Sequence, residues 1–267
     1  MPIVDIHAHI YPEKIAQKAA DAVGDFYLAP MYGDGSVNGP VGLLAASVGS
    51  PITHFVVHSV AVKPQTVESI NNFIMNECAA HENFIGFMAM HQDYENPEAE
   101  IDRALEQGLC GLKLHPDTQR VNADDPRLMR VYEICEDRHV PVIIHTGDYR
   151  YDFSHPRRIV NILHTFPNLV VDAAHFGGWS IFDYGTEILE NERCYVDTSS
   201  ATAWLGPRRT AELIRIYGTK RVLFGADFPM WSPREEYEFI SALDFTDDEF
   251  ADIFWHNAER FIGRTIG

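Results

Sequence analysis

The chain has 267 residues, 46% of them hydrophobic, and 21 Lys and Arg against 39 Asp and Glu give a formal charge of −18. So acidic a surface repels phosphate backbones and anionic headgroups, which argues against a nucleic-acid or membrane partner and leaves a small molecule, a carboxylate included, as the expected one. No run nears the ~18 apolar residues of a membrane span, the four cysteines are too scattered for a disulfide framework or a metal knuckle, and no leader precedes the first apolar run, so a cytoplasmic location is expected.

Eight short apolar, β-branched runs recur along the sequence, at 3–9, 52–62, 84–91, 108–115, 140–146, 169–175, 194–199 and 221–227. The first ends Val4-Asp5-Ile6-His7-Ala8-His9. Alternate side chains share a face of a strand, so two imidazoles project together where the strand stops, which is half a metal site. The glycine-rich stretch Gly24–Pro40 lacks periodicity and reads as a long loop, with a lid over the site as one use for it. Helical patterns follow at 66–81, 96–108, 126–138, 155–166 and 207–217, several opening with proline, which suits the first helical turn. Thr246-Asp247-Asp248-Glu249 is a capping box that starts a last helix reaching Phe261.

Strand–helix alternation repeated eight times predicts an α/β fold, a single-domain (β/α)8 TIM barrel over residues 1–267, with an open doubly wound sheet as the structural alternative. A barrel requires its chemistry at the C-terminal ends of the strands. Polar residues do gather there: His7 and His9, then Lys113 and His115, His145, His175 and Asp227 end runs one, four, five, six and eight. Blander readings stand beside these. His145 and His175 could be hydrogen-bonded structural histidines, and Asp227 could cap the next helix. Arg150 and Arg157 follow the fifth run, where a guanidinium could clamp a carboxylate, and Trp179, Trp204 and Trp231 follow runs six to eight, where they could wall a planar substrate.

Taken in order, Asp5-Ile-His7-Ala-His9, Gly111-Leu-Lys113-Leu-His115-Pro, Ile-His145-Thr-Gly, Ala-His175-Phe-Gly, Leu-Phe-Gly-Ala-Asp227-Phe-Pro and Asn257-Ala258 resemble the amidohydrolase superfamily. The resemblance covers nearly the whole chain and is nearest to the amidohydrolase-related branch that includes aminocarboxymuconate-semialdehyde and γ-resorcylate decarboxylases. It implies one divalent metal ion on His7, His9, His145 and Asp227, with His175 and Asp227 catalytic and a homodimer as the assembly. Three nitrogens and a carboxylate oxygen suit Zn²⁺, and Mn²⁺ can take the same ligands. Lys113 is open between a carbamylated bridge for a second metal, a cation that orients substrate, and a packed stem. His115 and Arg150 are the other candidate substrate contacts.

The reaction expected first is hydrolysis of an amide, lactone or ester by a metal-activated water, whose pKa a bound divalent ion lowers to about 7, with Asp227 managing the proton. The alternative is non-oxidative decarboxylation of an aromatic or unsaturated acid on the same ligands. A metal-binding barrel without catalysis is the reading from another class, and intact Asp227 and His175 speak against it.

Overall fold

The computed structural model describes residues 2–267 and shows eight parallel strands in sequential order. They are β1 (Val4–His9), β2 (His54–His58), β3 (Phe84–Ala89), β4 (Gly111–Leu114), β5 (Val142–Ile144), β6 (Val171–Ala173), β7 (Tyr195–Asp197) and β8 (Val222–Leu223). Helices alternate with them, and β8 returns to β1 through Ile6 N–H to Phe224 O (2.9 Å), Asp227 N–H to His7 O (2.8 Å) and His9 N–H to Phe228 O (2.7 Å). The fold is the expected (β/α)8 barrel, and the alternative of an open doubly wound sheet is excluded.

The local reasons are legible in the chain. Both faces of each strand are covered, so the strands are short continuous apolar runs. Helices at Pro97–Glu106, Pro126–Asp137, Pro156–Thr165 and Pro233–Ser241 each begin on proline. Asp125, His155 and Ser232 accept backbone N–H groups at three of those starts, and the Thr246–Glu249 capping box forms as read. One helix differs from expectation: it opens at Thr202, five residues before Pro207, and bends where Gly206 takes φ 67°. The stretch 24–40 is not all loop, because helix α1 (Ala16–Tyr27) runs into it before the chain turns irregular.

Inside the barrel two regions stack along the axis. At the N-terminal end Val56, Phe87, Ile143 and Leu223 meet Phe261, Ile262 and Ile266 of the C-terminal segment, which closes the floor. Gly111 makes room there, since a Cβ would lie 2.3 Å from the Phe87 ring. Asn257 fastens the closing helix (Asn257–Ile262) by donating to Thr219 O and Val222 O at 2.6 Å each. At the C-terminal end the interior becomes polar. A bulge in β1 between Asp5 and Ala8 is pinned by Asp5 Oδ1, which accepts from His7 N–H and Ala226 N–H at 3.0 Å. His7 within the bulge and His9 beyond it both turn inward.

Candidate active site

His7 is the best-anchored member. Its Nδ1–H donates to Asp197 Oδ2 at 2.7 Å, which leaves the Nε2 lone pair facing the barrel axis. Lys113 Nζ meets that lone pair at 2.8 Å. Asp197 Oδ1 in turn accepts from His175 N–H, Ser199 N–H and the Ser199 hydroxyl, so the carboxylate is saturated and fixed. His145 is oriented by a comparable device. Its Nε2–H donates to Gly147 O at 3.0 Å beside Asp117 Oδ2 at 3.3 Å, so its Nδ1 lone pair points inward, 3.0 Å from His175 Nε2.

Asp227 sits in the left-handed region at φ 68°, an unusual backbone for a non-glycine residue, and His175 is similar at φ 62°. The helix after Asp227 is capped by Ser232, so Asp227 does not serve as that cap. Its Oδ2 accepts from the Ser200 hydroxyl, itself held by Trp231 Nε1–H at 2.9 Å. Its Oδ1 lies 3.6 Å from His7 Nε2 and 3.5 Å from His9 Nε2. Donor atoms sharing one tetrahedral ion at bond lengths of about 2.1 Å stand about 3.4 Å apart, so these separations suit a common ion. His7, His175 and Asp227 also offer ligand atoms within 4.8 Å of one another.

The electrostatics suit metal binding too. Burial first, then the Lys113 charge, holds His7 and His9 well below the ordinary imidazole range, so both rings are neutral. Burial raises the Asp227 carboxyl to about 7 against the opposing pull of Ser200 and Lys113. Burial lowers Lys113 to about 8, with Asp227, Asp197 and Asp172 resisting.

Above this cluster opens a cavity of about 300 Å³. Lys113, His115, His145, His175 and Asp227 form its floor with His9, and Tyr11, Phe26, Tyr27, Met31, Val60, Val62 and Met230 its walls. The walls are therefore aromatic, but the rings come from β1's exit and α1 and not from the tryptophans that the sequence offered. Trp204 is exposed, and Trp179 packs against Tyr27 with ring centroids 4.8 Å apart. His115 stacks on His145 at 3.9 Å, and its Nε2 lies 2.6 Å from the Tyr27 hydroxyl.

Arg150 is not among the lining residues. It pairs with Asp148 at 2.7 Å and donates to Phe26 O at 2.6 Å, with its guanidinium 4.9 Å from the Phe26 ring centroid. It thus fastens the end of α1 over the cavity. Asp197, Ser200, Tyr27 and His58 are the site residues that the sequence reading missed. Asp197 had the clearest signal, since it interrupts an apolar strand with a charge that must be paired.

The geometry can be set beside known proteins. A solved TIM-barrel protein from Bordetella bronchiseptica has a TM-score of 0.78 at 20% identity, covering 99% of this chain and 100% of that one. The 5-carboxyvanillate decarboxylase from Sphingomonas paucimobilis has a TM-score of 0.73 at 17% identity, covering 99% of both chains. A dihydroxybenzoic acid decarboxylase from Polaromonas, solved with bound manganese and the inhibitor 2-nitroresorcinol, has a TM-score of 0.74 at 14% identity, covering 98% of this chain and 97% of that one. At such identities the likeness establishes the fold. No curated protein matches the sequence. Among the described residues no helix is long and apolar enough to cross a membrane. The amidohydrolase family model matches residues 4–264, and the chain belongs to that family.

Proposed function

We propose that this protein is a divalent-metal-dependent decarboxylase of a small aromatic or unsaturated carboxylic acid. The cavity carries the reading: a compact space with aromatic and aliphatic walls over a floor that concentrates the imidazoles, one carboxyl and one ammonium. A planar acid fits with its ring among Tyr11, Phe26 and Tyr27 and its carboxylate toward Lys113. Decarboxylases among the structural neighbours support this reading over the hydrolysis expected first from sequence.

His7, His9, His145 and Asp227 would hold the ion, manganese or zinc, which when bound supplies a Lewis acid for the substrate's oxygens. Lys113 orients the carboxylate, and the apolar walls exclude water, which strengthens every charge interaction on the floor. Asp227 delivers a proton to the carbon that bears the carboxylate. The bond from that carbon to the carboxylate then breaks, its electron pair returns to the carbon framework, and CO₂ leaves. Asp227 regains its proton from solvent, so the net change is one proton consumed and one CO₂ released. His175, held through Nδ1 by Ser199, presents Nε2 to a substrate oxygen.

The test is to incubate protein loaded with Mn²⁺ or Zn²⁺ with a panel of hydroxybenzoic acids in D₂O. The expected result is CO₂ release with one deuteron at the vacated carbon. Turnover of lactones or amides, with no CO₂ from any acid, would overturn the reading in favour of hydrolysis.

A further inference from the structure

His58 closes β2 directly beside His9, its partner in register, and its ring is fully buried. Neither ring nitrogen has a hydrogen-bond partner. The backbone there is fixed, because Ile10 N–H donates to His58 O at 3.0 Å and the Ser59 hydroxyl donates to Ile10 O. The ring packs edge-on against His9, with centroids 4.4 Å apart, and against His7 at 5.0 Å. His7, His9 and His58 each offer a ring nitrogen within 4.8 Å of the other two.

A histidine kept only for packing would be bonded on at least one nitrogen, since leaving a buried polar atom unsatisfied costs the desolvation of that group with nothing in return. Buried imidazole nitrogens gathered from three residues are what a borderline divalent ion selects. We propose that His58 is a direct ligand of the divalent ion that His7 and His9 hold, adding a β2 nitrogen to the set implied by the sequence resemblance. The proposal rests on the reading that the barrel mouth binds such an ion.

The experiment is a Co²⁺ titration of chelator-stripped protein, followed by visible absorption and by competition with a chelator, on wild type, His58→Phe and His58→Asn. Wild type should bind one ion. His58→Phe should lose at least about 100-fold in affinity, beyond the 10–100-fold typical when only a group behind a ligand is removed. The absorption bands should shift in position and intensity, with His58→Asn intermediate. His58→Asn supplies the comparison if the phenylalanine variant does not fold. An unchanged spectrum, whatever the affinity, would put His58 outside the coordination sphere and overturn the proposal while leaving the metal centre intact. Absence of binding by wild type would instead remove the metal centre and the proposal with it.

Discussion

The two ends of the barrel interior are built on opposite terms. At the floor Phe87, Ile143 and Leu223 pack against Phe261 and Ile262, with no polar side chain among them. At the mouth, a few ångströms along the same strands, His9 and His58 keep unpaired nitrogens and Asp172 keeps two unpaired oxygens. Burial pushes Asp172 well above the usual carboxylate range, with the neighbouring Asp197 adding to the effect. Folding free energy is supplied at one end, while the other carries polar groups that contribute nothing to stability until something binds. Substitutions at the mouth should therefore change binding and turnover with little loss of stability, and substitutions at the floor should do the reverse.

The largest effect should come from Asp227→Asn, which removes a proposed ligand and the proton donor together. Decarboxylation should fall by about 10³-fold or more in kcat, within the range for loss of a general acid, while the melting temperature changes little. A variant with near-normal kcat would break the assignment. Its mirror at the floor is Phe261→Ala. Deleting this fully buried ring should cost about 3–5 kcal/mol, read from the denaturation midpoint, with kcat per folded molecule unchanged. A loss of activity in the folded fraction would show that the two ends are coupled.

Asp197→Asn probes the boundary between them. Asp197 accepts four hydrogen bonds, and an amide in its place would set N–H donors against donors already present. His7 would be driven to the other tautomer, with its proton on Nε2, and its lone pair would leave the centre. Metal affinity should fall about 10–100-fold, measured by chelator competition. Unchanged affinity would mean that His7 does not ligate through Nε2.

The sequence revealed the mouth better than its supports. The gathering of His7, His9, His145, His175 and Asp227 at the mouth was legible because barrel topology sends strand ends to one place. Lys113 and His115 line the cavity as the strand pattern placed them. The sequence offers Arg150 as a clamp for a substrate carboxylate, yet Asp148 two residues earlier is already its partner. Residues 24–27 look like loop in the sequence because they open a glycine-rich stretch without periodicity, whereas α1 continues to Tyr27 and closes over the site. His58 gave no signal, since one histidine ending an apolar strand has no spacing partner in the chain. Its neighbours in the barrel are supplied by β1, and only the closed sheet sets them side by side.

Tyr27 is the smallest and most specific test of the mouth. His115 Nδ1 accepts from Thr118 N–H, so the ring proton lies on Nε2 and is donated to the Tyr27 oxygen at 2.6 Å. The Tyr27 hydroxyl hydrogen is then free to point into the cavity. Burial raises this phenol well above its ordinary range, so it stays a donor at any working pH. Tyr27→Phe should therefore remove one hydrogen bond to bound substrate, worth about 0.5–1.5 kcal/mol, or up to about tenfold in KM. With Asp227 as the acid, Tyr27 serves binding alone, and kcat should hold nearly constant. A fall in kcat at unchanged KM would instead make Tyr27 part of the proton transfer and move the acid away from Asp227.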